Sequence, residues 1–136
     1  MKSSKEEDRP KSDREASDTL TIYHNPQCSK SRETLALIQA SGVKPRVIEY
    51  LKMPPSETEL SAIVHKLGIS AEELVRRTEP VFREKYAGKV LDDKQWIKAL
   101  VADPILLQRP IVVRGNKAVI GRPPENARKL LPDRRS

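Results

Sequence analysis

Among its 136 residues the chain has a single cysteine, Cys28. An internal disulfide is excluded, and any chemistry that needs two thiols must take the second from another molecule. Only two histidines, His24 and His65, accompany it, and there is no Cys-x-x-Cys, so the spaced ligand sets of a zinc site are missing and no metal is expected. Aromatics are also scarce. Tyr23, Tyr50, Phe82, Tyr86 and Trp96 do not gather into a base-stacking platform, and no nucleic-acid-binding motif accompanies them, which argues against nucleic acid as a partner. No apolar run approaches the roughly 18 residues of a membrane span, so no membrane association is expected.

What the chain does have is charge, 33% of its residues against 37% hydrophobic, on a length that suits one domain. The first 18 residues, MKSSKEEDRPKSDREASD, hold five basic and six acidic side chains and only two apolar ones, too few to offset their ordering entropy. They are expected to form a disordered charged tail (1–18) before a folded domain (19–131) and a frayed basic C-terminus (132–136). The tail lacks the apolar core of a secretory signal, and its acidic residues argue against a transit peptide, so the expected location is cytoplasmic. Because the tail carries −1 of the total +7, the body carries +8 and should attract anions.

Thr19 to Tyr23 is β-branched and aromatic and stops at His24-Asn25-Pro26, which predicts a strand ending in a turn. A helix is predicted from Ser29 to Ser41, with Leu35, Leu37 and Ile38 as its apolar stripe and Gly42 as its cap. A second strand fits 46–51. Ser56 with Glu59, Ser70 with Glu73, and Asp92 with Gln95 mark three further helix starts, the second helix running to about Arg77. Ile111 to Val113 and Ala118 to Ile120 read as strands joined by a tight Gly115-Asn116 turn, and a last helix spans 125–131. The order is βαβ, a helical insertion, then ββα. A parallel pair with a crossover helix, extended by an antiparallel hairpin, is the thioredoxin-like α/β arrangement, with a mixed four-stranded sheet. Fold analogy makes Pro110 the candidate for a cis peptide before the third strand.

Cys28 falls where the first turn meets the first helix. A thiolate there would lie among unpaired amides at the positive end of a helix dipole, which lowers a thiol pKa from about 8.5 toward 3.5–7.5. Lys30 and Arg32 would add positive potential, and the flanking Gln27, Ser29, Lys30 and Ser31 are all polar, against the reading of a small buried hydrophobe. His24 has two open roles, a partner for the thiolate or a strand cap.

The stretches His24-Asn25-Pro26-Gln27-Cys28-Ser29-Lys30-Ser31-Arg32, Arg109-Pro110-Ile111-Val112-Val113 and Gly121-Arg122-Pro123-Pro124 together resemble the glutaredoxin-coupled arsenate reductase family (ArsC-like). The likeness runs from about Thr19 to Leu131. The Ser-Lys-Ser-Arg after the cysteine, where plasmid-type enzymes have Gly-Thr-Ser-Arg, is similar to a chromosomal branch. The resemblance implies a thioredoxin-like fold and an arsenate reductase in which the cysteine attacks arsenate, glutathione acts as co-substrate, and glutaredoxin resolves the resulting mixed disulfide as arsenite leaves. No bound cofactor is implied. It also implies Cys28 as the nucleophile and Arg76, Arg109 and Arg122 as the residues that hold the oxyanion; by their place around the cysteine, His24 is a further catalytic candidate and Asn25, Ser31 and Arg32 are further substrate-binding candidates. Arginine suits such a role because its planar, permanently charged fork grips a tetrahedral oxyanion at two points. Arg76 and Arg77, adjacent on a predicted helix and about 100° apart, cannot both face the site.

Two other readings share the fold. One is a glutathione-dependent thiol/disulfide oxidoreductase acting on another substrate, with the arginines holding glutathione carboxylates. The other is an RNA polymerase-binding regulator of the Spx type, which commonly carries a Cys-x-x-Cys switch. Here a serine, Ser31, stands where the second cysteine would be, so that switch cannot operate.

Overall fold

The computed structural model describes residues 19–131, so the expected tail at 1–18 and the C-terminal 132–136 lie outside the described residues. Strand β1 (Leu20–His24) is followed by helix α1 (Ser29–Ala40), strand β2 (Arg46–Glu49) and helix α2 (Glu57–Leu67). A 3₁₀ turn (Ala71–Leu74), helices α3 (Pro80–Lys85) and α4 (Asp93–Ala102), and a second 3₁₀ turn (Pro104–Leu106) form the insertion. Strands β3 (Ile111–Arg114) and β4 (Lys117–Ile120) and a last 3₁₀ segment (Pro124–Leu130) complete the chain.

The sheet order is β2-β1-β3-β4. β1 pairs in parallel with β2, Ile22 opposite Val47, and antiparallel with β3, Ile22 opposite Val112; β3 and β4 form the hairpin. This is the thioredoxin-like mixed sheet expected from the element order. As a central strand covered on both faces, β1 buries four of its five residues, and this explains its nearly continuous apolar sequence. Alternation divides it between two cores. Leu20 and Ile22 pack with Ile38 of α1, Val112, Ala127 and Leu130, whereas Tyr23 and Ile111 face Leu60 and Ile63 of α2 and Trp96 and Leu100 of α4. Among the described residues no helix is long and apolar enough to cross a membrane.

The capping boxes expected at Ser56 and Asp92 are both formed, and Gly115 takes the positive φ (61°) that the two-residue hairpin loop requires. Four expectations need correction. The helix predicted from Ser70 to Arg77 stops after one 3₁₀ turn; Val75 is extended and bridges Leu107. The amide of Arg76 donates to Leu106 O at 2.6 Å and that of Gln108 to Leu74 O at 2.8 Å, so long-range pairing overrides the local helix signal. The strand predicted to Leu51 ends at Glu49, whose carbonyl accepts from both Lys52 and Met53 as the chain turns and drops Tyr50 into the core. α3 was not anticipated, although Pro80 at its first position is a start signal. The last helix is 3₁₀ rather than α. The peptide bonds Arg109–Pro110 and Arg122–Pro123 are both cis; only the first was expected.

Candidate active site

Cys28 is the N-cap residue of α1, held by its own amide donating to Asn25 O at 2.9 Å. The Asn25 side chain turns the loop by accepting from the Gln27 amide at 2.9 Å. Ser31, fully buried on the first turn of α1, ties the loop from beneath: its hydroxyl accepts from the Asn25 amide at 3.0 Å and lies 2.7 Å from His24 Nδ1. The loop is thus rigid on its inner side while the thiol is left half-buried at the helix start.

The balance of influences on that thiol is informative. Burial, the largest single one, pushes its pKa up; the Ser31 amide, the Arg109 side chain, the Lys30 amide and Arg122 together outweigh it, so the net direction is down from the ordinary cysteine value. Arg122 Nη2 stands 3.7 Å from Cys28 Sγ. That guanidinium is aimed by its Nε donating to Arg109 O at 2.9 Å, and its carbonyl accepts from Asn126 Nδ2 at 3.2 Å. Gly121, one residue earlier, lets the Arg122 loop press against α1 and the Pro110 loop. A Cβ there would lie 2.8 Å from both Pro110 Cγ and Thr34 Oγ1. Its amide donates to Pro110 O at 2.8 Å, and its carbonyl accepts from the Thr34 hydroxyl at 3.2 Å.

Arg109 and Arg76 are joined by a residue that the sequence did not single out. Glu79 Oε2 lies 3.3 Å from Arg76 Nε and 3.5 Å from Arg109 Nη1, which also donates to Ile105 O at 3.2 Å. Both Nε atoms are buried; that of Arg76 has only its ion-pair contact with Glu79, and that of Arg109 makes no hydrogen bond. Arg76 does face this cluster, with a side chain 19% exposed, and Arg77, 55% exposed, turns out to pair with Glu72. The helix expected here has ended by Val75, and the chain turns at Arg77 and Thr78. Tyr50 is a second residue missed: it is fully buried and its hydroxyl has no hydrogen-bond partner. Burial raises its pKa, and Arg109 and Asn25 act in the opposite direction.

The remaining expected residues are placed less directly. His24 is buried, and its hydrogen bond goes to Ser31 rather than to the thiol. Burial holds its pKa below the ordinary histidine value; Glu49 opposes this shift and Arg32 adds to it. Arg32 is exposed and donates to Pro26 O at 2.9 Å, bracing the loop from outside, and Lys30 pairs with Glu33 at the surface, 3.8 Å away. The cluster therefore comprises a thiol with a lowered pKa, two guanidinium groups beside it and a third linked through a carboxylate. Such a group can attack an electrophilic centre whose anionic oxygens would otherwise repel a thiolate.

The model of the ArsC family matches residues 23–130. The uncharacterized protein YfgD of Escherichia coli (strain K12) is 46% identical over 114 residues, 82% of this chain and 96% of that one. The arsenate reductase of Rhizobium meliloti (strain 1021) is 40% identical over 116 residues, 85% of this chain and 83% of that one. Among solved structures, the arsenate reductase from Vibrio cholerae superposes with a TM-score of 0.80 at 42% identity, covering 83% of this chain and 98% of that one.

Proposed function

The chain belongs to the ArsC family, and from that premise we propose that it is an arsenate reductase using Cys28 as nucleophile and glutathione with glutaredoxin as the source of electrons. The observation that carries this reading is the Cys28 thiol, its pKa lowered, 3.7 Å from Arg122 and under the influence of Arg109. Arsenate, a dianion at neutral pH, is held by Arg76, Arg109 and Arg122, which neutralise the charge that would repel a thiolate. Asn25 and Ser31 shape the loop that presents Cys28. His24, bonded to Ser31, orients that residue rather than exchanging protons with the thiol.

The thiolate forms a bond to arsenic as one arsenic oxygen leaves, protonated, as water. Glutathione supplies the second thiol: its sulfur becomes joined to Cys28 Sγ as a disulfide, its proton ends on an arsenic oxygen, and the two electrons released reduce arsenate to arsenite. A glutaredoxin thiolate then takes the glutathione sulfur and returns Cys28 to its thiolate form. The second thiol must come from outside because the chain has one cysteine, and the cytoplasm, where glutathione is kept reduced, is the compartment that suits this chemistry.

The test is arsenate-dependent NADPH oxidation in an assay coupled through glutathione, glutaredoxin and glutathione reductase, run beside a glutathionylated substrate. Turnover with arsenate is expected. Turnover with the mixed disulfide alone, or an arsenate rate no higher than that of Cys28→Ser, would replace the reading.

A further inference from the structure

Resting on that oxyanion-site reading, we propose that Glu79 is a positioning residue: one carboxylate oxygen shared between Arg76 and Arg109 holds the two guanidinium groups together and withholds part of their charge from Cys28. Two cations drawn this far from solvent repel each other, and a carboxylate between them offsets that repulsion. The three side chains are only 11–19% exposed, Arg109 least, so the interaction is poorly screened.

The local backbone supports the assignment independently. Glu79 is the N-cap residue of α3, yet its side chain makes no cap hydrogen bond. The carboxylate turns away from the helix amides that an N-cap side chain ordinarily serves and toward the arginines. Its two contacts are long, 3.3 Å to Arg76 Nε and 3.5 Å to Arg109 Nη1. Contacts this long steer the two forks without pairing them tightly to the carboxylate. A tighter carboxylate pair would compete with the substrate; an absent one would leave the repulsion between the two forks unopposed and the charge of Arg109 on the thiol undiminished.

The test reads the thiol directly, without arsenate. The rate of Cys28 alkylation by iodoacetamide is measured against pH for the wild type, Glu79→Gln and Glu79→Asp. Arg122, the Lys30 and Ser31 amides and Tyr50, the other groups acting around the thiol, are unchanged in all three. Glu79→Gln, which keeps the shape and removes the charge, is expected to move the alkylation midpoint down by about half a pH unit or more, a roughly threefold rise in the thiolate-to-thiol ratio. Glu79→Asp keeps the charge but draws the carboxylate back by one methylene, and is expected to lower kcat/KM for arsenate at least fivefold through displaced arginines while moving the midpoint less than Glu79→Gln does. A purely structural role would not lower the midpoint. An unchanged or raised midpoint in Glu79→Gln overturns the proposal; if that variant does not fold by circular dichroism, wild-type kcat/KM in Glu79→Asp overturns it. A lowered midpoint with no arsenate turnover by the wild type removes the substrate reading and leaves the positioning role in place.

Discussion

Replacing Arg109 by alanine removes the side chain that links the parts of the site. Its guanidinium helps to hold the Cys28 thiol toward its charged form, donates to Ile105 O at 3.2 Å, and shares Glu79 with Arg76. A charge-assisted hydrogen bond contributes about 1.5–3 kcal/mol. Loss of one such bond to the bound oxyanion corresponds to a fall of roughly 10- to 150-fold in kcat/KM. The truncation also leaves Glu79 facing Arg76 alone, which pairs them more tightly and draws Arg76 from the anion, so the effect should lie toward the upper end. Arg109→Lys restores the charge without the planar fork and should recover only part of the loss. The assay is the coupled NADPH oxidation at varied arsenate, with circular dichroism to show that the fold survives. Unchanged kcat/KM in a folded Arg109→Ala protein would refute the placement of this side chain at the oxyanion.

Cys28→Ser should abolish arsenate turnover and leave the denaturation midpoint near that of the wild type, because a serine hydroxyl has no accessible anion at neutral pH and the position is only half-buried; retained turnover would remove Cys28 as nucleophile. Gly121→Ala should lower stability by about 1–3 kcal/mol in a urea titration, since the added methyl meets the Pro110 ring and the stiff Thr34 side chain, and kcat/KM should fall as Arg122 is displaced. Ser31→Ala leaves the Asn25 amide and His24 Nδ1 without their partner in a buried setting, and a loss of about 1–3 kcal/mol is expected by the same titration. The alkylation rate of Cys28 rises as pH climbs through the thiol pKa, so its limb should lie below the ordinary cysteine value and move upward in Arg122→Ala, which removes a group that favours the thiolate; a limb that does not move would show that Arg122 does not act on the thiol.

How far such a site can be read from sequence depends on whether its parts are specified locally. Cys28 was legible because the strand end, the turn and the helix start are written within a few residues around it, and the fold order followed from capping residues and the Gly115-Asn116 turn that the structure retains. Ser70 shows where local signals stop being sufficient. Glu73 does reach back to its amide, yet the helix is one turn long because residues 74–76 find partners at 106–108, a pairing that no nearby residue announces. That same pairing accompanies a turn of the chain that leaves Arg76 against Glu79 and Arg77 exposed beside Glu72, an arrangement a continued helix does not produce. Glu79 had one visible sign, a carboxylate three residues after Arg76, but its second partner lies thirty residues away across the insertion. Tyr50 had none, because its burial depends on β2 ending at Glu49 and the chain turning inward. The nucleophile is thus local and legible, whereas the electrostatic frame around it is assembled by long-range contacts. A substitution that leaves every motif intact, such as Glu79→Gln, is therefore expected to change the chemistry of Cys28.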